Sequence, residues 1–207
     1  MTNKVRQSNI ELCRIVAMFL VLVTHANFVS LGEPSVADMN ASFAGGYLRH
    51  LVAALSVVCV NVFVMLSGWF GIKFSLKKLC SFLFQILFFN ILVWLAWVVL
   101  LHHDLSVKDT LMYFVMGTKS NWFIKAYIAL MIIAPVLNMF AQNATKRQYQ
   151  TILIAFFLFL SLYGWILQEG VQWLRSGSDL PTMAFCYLLA GYFRTYPPSF
   201  IQDESTI

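Results

Sequence analysis

Three ionisable side chains, Glu11, Arg14 and His25, lie within the first long apolar stretch of the chain, NIELCRIVAMFLVLVTHANF. An arginine at the centre of a membrane helix costs at least about 2.5–3.5 kcal/mol on insertion scales, so such residues need a physical reason. Arg14 and His25 are eleven positions apart, which is close to three helical turns, or roughly 16 Å along the helix axis. Both therefore project from one helix face, and Glu11 lies one turn before Arg14, close enough to pair with it.

The line formed by Glu11, Arg14 and His25, called the polar stripe below, is open to more than one interpretation. Arg14 could lie near the cytoplasmic surface and extend its long side chain to the interface. His25 could be a hydrogen-bonded packing residue or a proton-transfer group, because histidine is the side chain whose ordinary pKa suits proton exchange near neutral pH. From periodicity alone, the stripe predicts a functional cavity inside a helix bundle.

Two further groups of residues lie near the end of a later apolar stretch and just after it. Ser67 and Gly68 form a small-residue patch that lets a neighbouring helix or a ligand approach closely, and tight helix packing is the simpler interpretation. Lys73, Lys77 and Lys78 form a basic cluster directly after this patch. Such clusters usually set membrane topology or touch anionic lipid head groups, and they are equally suited to bind the phosphates of a cytosolic ligand.

The remaining polar and aromatic candidates are assigned to structural roles. Trp122 and Tyr127 suit the aromatic belt at the outer membrane interface. Asn61 and Asn138 are candidates for hydrogen bonds between helices. The four cysteines have no C-x-x-C spacing and are expected to be buried thiols, so no metal site is predicted.

The elements that position these residues are predicted to be membrane helices. Charged residues make up 11% of the chain, against roughly 25% in an ordinary soluble domain, and the mean hydropathy is +0.74. The apolar residues form continuous blocks of about the 20 residues that cross a bilayer, without the alternation of barrel strands. The sequence therefore predicts an all-α polytopic transmembrane helix bundle, a single domain over residues 1–207. The net charge of +5 is assigned to cytoplasmic loops, so nucleic-acid binding is not expected.

About six spans and one short interfacial helix are predicted. The short stretch Val107–Met116 is too short to cross the bilayer and suits an interfacial or re-entrant helix. Residues 197–207 are predicted to form a polar tail. The predicted spans are Ile10–Val29, Leu48–Phe70, Leu79–Leu101, Trp122–Ala141, Thr151–Leu167 and Leu180–Phe193.

The distribution of lysine and arginine predicts the orientation. Basic residues precede the first span and follow the second and the fourth, whereas the first connection has two acids and no lysine or arginine until Arg49. Because cytoplasmic segments attract lysine and arginine, the amino terminus is predicted to be cytoplasmic. Arg175, Lys108 and Lys119 fall on the outer side against this trend.

Four segments, in order, resemble the membrane-bound acyltransferases of the acyltransferase 3 family. The first contains the R-x10-H spacing between Arg14 and His25. The others are NVFVMLSGWFGIKF with the basic loop after it, WFIKAYIALMIIAPVLN and YLLAGYFRTYP. Together they are spread over nearly all of residues 8–197.

The resemblance implies an O-acyltransferase that moves an acyl group, expected to be acetyl, from cytosolic acetyl-CoA to a hydroxyl of a glycan or lipid-linked sugar. Acetyl-CoA would be a co-substrate, and no tightly bound cofactor is expected. His25 would act as general base or proton shuttle, and Arg14 would position the donor or stabilise negative charge. Lys73, Lys77 and Lys78 would meet the phosphates of coenzyme A.

Two other functions remain open. Family members usually continue with about four further spans, so the chain is expected to be truncated at its carboxyl end. An inactive fragment or a non-enzymatic membrane partner of the same ancestry is therefore the main alternative to the enzyme. A proton-coupled transporter is the third hypothesis, but it predicts repeated broken helices, and no such repeat is visible. The resemblance implies a multi-pass protein of the cell membrane, with the bacterial inner membrane expected.

Overall fold

The computed structural model of the protein describes residues 8–32, 34–101, 106–114, 122–167 and 179–198, and every regular element in these ranges is helical. The all-α fold predicted from the sequence is therefore confirmed. The described ranges contain two π-helical segments, Ala26–Ser30 after the first α-helix and Leu162–Leu167 after the eighth. The α-helices are α1 (Ser8–His25), α2 (Val36–Ala41), α3 (Phe43–Val57), α4 (Cys59–Phe70), α5 (Leu76–Leu101), α6 (Val107–Phe114), α7 (Trp122–Asn143), α8 (Lys146–Ser161) and α9 (Leu180–Thr195).

Four helical stretches among the described residues are long and apolar enough to cross a membrane. They match the first four predicted spans, although the second begins earlier than predicted and contains a turn at Val58. The fifth and sixth predicted spans are helical too. The fifth consists of α8 and the π-helical segment that continues it to Leu167, whereas α9 has 16 residues, fewer than the roughly 20 that a straight crossing needs. The four stretches are Ser8–Phe28, Phe43–Phe70, Leu76–Val99 and Trp122–Asn143.

The predicted interfacial helix corresponds to α6, which ends at Phe114. The last two residues of that prediction, 115 and 116, lie outside the described residues. So do the basic residues Lys119 and Arg175, those of the amino-terminal segment, and the polar tail from residue 199.

The chain divides into two compact units. The first contains Met1–Phe70 and Cys186–Ile207, and the second contains Gly71–Phe185, so that α9 begins in the second unit and ends in the first. In the first unit, α1 contacts α3 and α4, and α2 contacts α3. In the second unit, α5 contacts α6. Tyr149 of α8 is fully buried, with its ring centroid 5.3 Å from that of Phe140 on α7.

The small-residue patch is where α9 approaches α4. Gly68 is buried, and a Cβ added there would lie 2.8 Å from the Cα of Tyr187 and closer still to its carbonyl oxygen. Arg194, in the last turn of α9, donates from Nη1 to the carbonyl oxygen of Trp69 at 2.8 Å. This carbonyl lies in the last turn of α4, where backbone acceptors lack partners within the helix. The patch is therefore a helix contact, and the backbone of α9 occupies the space that the absent side chain leaves.

The close approach at Gly68 predicts that Gly68→Ala destabilises the protein by about 1–3 kcal/mol, because the added methyl group meets backbone atoms that cannot move without shifting α9. Thermal unfolding of the detergent-solubilised protein measures the effect. Gly45→Ala is the control, because its Cβ would meet the side chain of Ser42, at 3.2 Å from Oγ, and no backbone atom of another helix. Because this hydroxyl accepts a hydrogen bond from the Gly45 N–H, the control reports a weakened helix cap without a clash between helices. Equal melting temperatures for both variants would show that α4 and α9 are not in close contact.

Candidate functional site

Arg14, the middle residue of the polar stripe, lies over an aromatic ring. Its guanidinium carbon lies 5.2 Å from the ring centroid of Phe70, the last residue of α4. A cation at this distance is attracted by the ring quadrupole, and the flat face of the guanidinium can stack there while its edge stays free to donate hydrogen bonds. Glu11 lies half-buried one turn earlier on α1. Arg14 itself is exposed, so its donors are accessible to a ligand.

His25 is the last residue of α1, and its hydrogen bonding defines which ring nitrogen carries the proton. Nδ1 lies 2.9 Å from the carbonyl oxygen of Val21, one turn earlier. A carbonyl oxygen only accepts hydrogen bonds, so Nδ1 must be the protonated nitrogen of the neutral ring. The lone pair is then on Nε2. Because the side chain is exposed, His25 presents a proton acceptor at the end of the helix.

The helix changes geometry directly after His25. The π-helical segment Ala26–Ser30 follows it, and π segments are rare and frequently occur at functional sites. On the residue before His25, Thr24 donates from Oγ1 to the carbonyl oxygen of Leu20 at 2.8 Å and lies 3.9 Å from Sγ of the buried Cys59 on α4. His25 is therefore flanked by a contact with α4 on one side and by an irregular helical segment on the other.

Arg49 of α3 binds that irregular segment, and sequence analysis did not identify its role. Nε donates to Oδ1 of Asn27 at 3.3 Å, and Nη2 donates to the carbonyl oxygens of Leu31 at 2.8 Å and Gly32 at 2.6 Å. Nη1 forms an ion pair with Asp38 of α2 at 2.8 Å. We call Arg49, Asn27 and Asp38 the arginine latch. The only sequence signal for it was the acidic connection that ends at Arg49.

The carboxylate of the latch is held in its ionised form. The Ser35 backbone N–H donates to Oδ2 of Asp38 at 2.7 Å, and this hydrogen bond is the main cause that lowers the pKa of Asp38 below its ordinary value of 3.8. Burial opposes the shift, whereas the Ser35 hydroxyl and the charge of Arg49 add to it. Asp38 is therefore negatively charged at neutral pH and forms an ion pair with the guanidinium of Arg49.

The basic cluster lies in the second unit, at the start of α5. Lys73 lies in the connection before the helix, and Lys77 and Lys78 lie in its first turn. All three side chains are exposed, and Nζ of Lys78 donates to the carbonyl oxygen of Lys73 at 3.5 Å. Cations are unfavourable at a helix amino terminus, where the unpaired backbone N–H groups favour an anion. Lysines and backbone N–H groups together favour a bound phosphate.

The two aromatic candidates differ in their surroundings. Trp122 is the exposed first residue of α7, with its ring centroid 5.9 Å from that of Phe123. Tyr127 is half-buried, stacked on Phe123 at 5.7 Å, and packs against Phe82 of α5 at 5.7 Å. Tyr127 therefore joins α5 to α7, whereas Trp122 remains available to an interface.

The expected hydrogen bond between helices is not observed at Oδ1 of Asn61, which is buried without a hydrogen-bond partner in the described part of the chain, and the expectation for the cysteines is met in part. Asn138 of α7 donates from Nδ2 to the carbonyl oxygen of Ile72 at 2.9 Å, a bond to the connection after α4 instead of to a helix. The expectation of four buried thiols is wrong for Cys13 and Cys80, which are exposed. Both lie on outward helix faces, where the apolar surrounding of a membrane helix is lipid instead of protein. No group of three metal-binding side chains occurs in the described part of the chain.

Comparison with known protein families gives one match of nearly full length. The model of the acyltransferase domain of the acyltransferase 3 family matches residues 7–206. Comparison with curated proteins and with solved structures gives no match. The matched region includes the polar stripe, the arginine latch and the basic cluster.

Proposed function

The chain belongs to the acyltransferase 3 family of membrane acyltransferases, and we propose that it moves an acetyl group from acetyl-CoA to a hydroxyl of a glycan or lipid-linked sugar. The observation that carries the proposal is the hydrogen bond between Nδ1 of His25 and the carbonyl oxygen of Val21, which leaves the lone pair of the neutral ring on Nε2 as the proposed proton acceptor. An O-acyltransferase needs such a base, because a sugar hydroxyl is a weak nucleophile until its proton is removed.

In the proposed reaction, Nε2 of His25 takes the proton of the acceptor hydroxyl as its oxygen attacks the carbonyl carbon of the thioester. A carbon–oxygen bond forms and the carbon–sulfur bond breaks. Coenzyme A leaves as the thiolate and receives a proton, which returns His25 to its neutral form. A positioned base of this kind contributes typically 10²–10⁴-fold to the rate.

Arg14 is proposed to position the donor. It lies roughly 16 Å from His25 along the helix axis, a separation that suits the extended pantetheine arm of coenzyme A. The ring of Phe70 under the guanidinium restricts its orientation, so that less freedom is lost when it binds an oxygen of the donor. One rigid helix would thereby set the distance between the group that holds the donor and the group that activates the acceptor.

The basic cluster is proposed to bind the phosphates of acetyl-CoA. Lys73, Lys77 and Lys78 are exposed beside the amino terminus of α5, and charge-assisted bonds to phosphate are stronger than neutral hydrogen bonds. The positive-inside rule predicts that this connection lies on the cytoplasmic side, where acetyl-CoA is found. The same rule predicts the amino terminus on that side, and we propose the bacterial inner membrane as the location.

We predict that His25→Ala lowers acetyl transfer by about 10²–10⁴-fold, because the acceptor hydroxyl loses its base. Transfer is measured as incorporation of label from [acetyl-¹⁴C]acetyl-CoA into the glycan and lipid-linked sugar fractions of membranes. His50→Ala is the matched control, because Nδ1 of His50 is bound in the same way, at 2.8 Å from the carbonyl oxygen of Gly46. Unchanged transfer by a correctly inserted His25→Ala variant would exclude His25 as the base.

Replacing Lys73, Lys77 and Lys78 together by glutamine is expected to raise the KM for acetyl-CoA by about tenfold or more, the effect of losing one or two bonds to a charged group. The KM for S-acetyl-pantetheine, which lacks the nucleotide phosphates, should stay unchanged. Lys108→Gln, an exposed lysine on α6, is the control. Equal changes for both donors would show that the cluster acts on folding or topology, and no change for either would exclude phosphate binding.

A further inference from the structure

The guanidinium of Arg49 joins three separate parts of the first unit. These are the π-helical segment through Asn27, the carbonyl groups of Leu31 and Gly32 that follow it, and α2 through Asp38. The side chain is only 16% exposed, and all three of its nitrogen atoms donate to oxygens within this unit. Only arginine offers donors on three nitrogens in a fixed plane, so lysine cannot reproduce the arrangement.

The segment that Arg49 holds is one that would otherwise be weak. Helix ends fray because their last carbonyl groups have no partner within the helix, and π geometry is uncommon in isolation. Arg49 supplies two of the missing donors, at Leu31 and Gly32. Asn27 is buried, with 7% of its surface exposed, so its Oδ1 would be left without a donor if Arg49 were removed.

His25 lies directly before this segment, and its own hydrogen bond requires the end of α1 to be helical. The bond from Nδ1 to Val21 joins residues four positions apart, which is possible only while residues 21–25 are helical. The π-helical segment begins at the next residue, Ala26. If the end of α1 unwinds, the ring loses both its direction and the bond that keeps the lone pair on Nε2.

From these contacts we infer that Arg49 is a positioning residue for acyl transfer, which through the arginine latch fixes the end of α1 so that His25 presents Nε2 to the acceptor. The inference rests on the proposed function. Arg49 is not assigned a contact with either substrate, because each of its three nitrogen atoms already donates within the protein. It acts on the turnover step and leaves the binding of acetyl-CoA unchanged.

Steady-state kinetics of Arg49→Gln and Arg49→Lys test the inference. For Arg49→Gln the kcat should fall by roughly 10²-fold, the usual cost of misplacing a reacting group by about 1 Å, while the KM for acetyl-CoA changes by less than about twofold. Arg49→Lys should recover part of the kcat, because it keeps a charge for Asp38 but loses the planar fork. Arg147→Gln, an exposed arginine on α8, is the control and should match the wild type.

Hydrogen exchange of backbone amides provides a readout that does not require activity. In Arg49→Gln, exchange should accelerate in peptides covering residues 22–32, and exchange of α7 should match the wild type. Faster exchange throughout the protein, together with a lower kcat and a higher KM for acetyl-CoA, would show that Arg49 only stabilises the fold. A wild-type kcat in Arg49→Gln would overturn the inference. If wild-type membranes transfer no acetyl group, the proposed function fails and the positioning role of Arg49 fails with it. A transfer-competent wild type with an equally active Arg49→Gln variant rejects the inference alone.

Discussion

The structure depends on one constraint of the bilayer, which is that a polar group in the hydrocarbon layer has no water to bind and must be satisfied by the protein. Several polar side chains of the first unit follow this rule, whereas Nδ2 of Asn27 and Oδ1 of Asn61 are buried without a hydrogen-bond partner in the described part of the chain. Nδ1 of His25 bonds to a carbonyl oxygen of its own helix, and the guanidinium of Arg14 lies over the ring of Phe70. Arg194 donates to the last turn of α4. Each contact satisfies a polar group and also restricts its direction.

The same constraint connects stability to function. A histidine that satisfies one ring nitrogen on its own backbone has the other nitrogen in a defined protonation state, so the requirement for stability selects the tautomer that a base needs. The α-helix then fixes the separation between Arg14 and His25, because its rise per residue is constant. In the proposed function, this rigid element places the base and the donor-binding group at a defined distance, which is much of what a catalytic site must do.

Several features of the fold were predictable from the sequence because they follow from composition and periodicity. The helical class, the first four membrane spans and the shared face of Arg14 and His25 are of this kind. The small-residue patch at Ser67 and Gly68 could be read only as a place of close approach, since nothing in the local sequence shows that α9 fills it. The family resemblance, in contrast, could be recognised from short motifs, and it extends over the chain as expected.

Other features could not be predicted from local patterns, for physical reasons. The π-helical segment after His25 has no periodicity of its own to reveal it. The partners of Arg49 are two backbone carbonyl groups, an amide and a carboxylate, and backbone acceptors have no sequence signature. Cys13 and Cys80 were expected to be buried, but burial in a protein and burial in lipid look alike in an apolar sequence. The spacing of Arg14 and His25 predicts that α1 directs both side chains to one aqueous passage, and the proposed function depends on this prediction.

Accessibility of single cysteines along α1 tests that claim most directly, in a protein whose four native cysteines are replaced by serine or alanine. Cysteines at positions 14 and 25 should react with a small water-soluble methanethiosulfonate reagent, because thiols react as thiolates and these form in water. Cysteines at the exposed apolar positions of Ile15, Phe19 and Leu22 should react far more slowly. Acetyl-CoA should protect positions 14 and 25. Equal reactivity at all five positions, or slow reaction at 14 and 25, would contradict a shared passage.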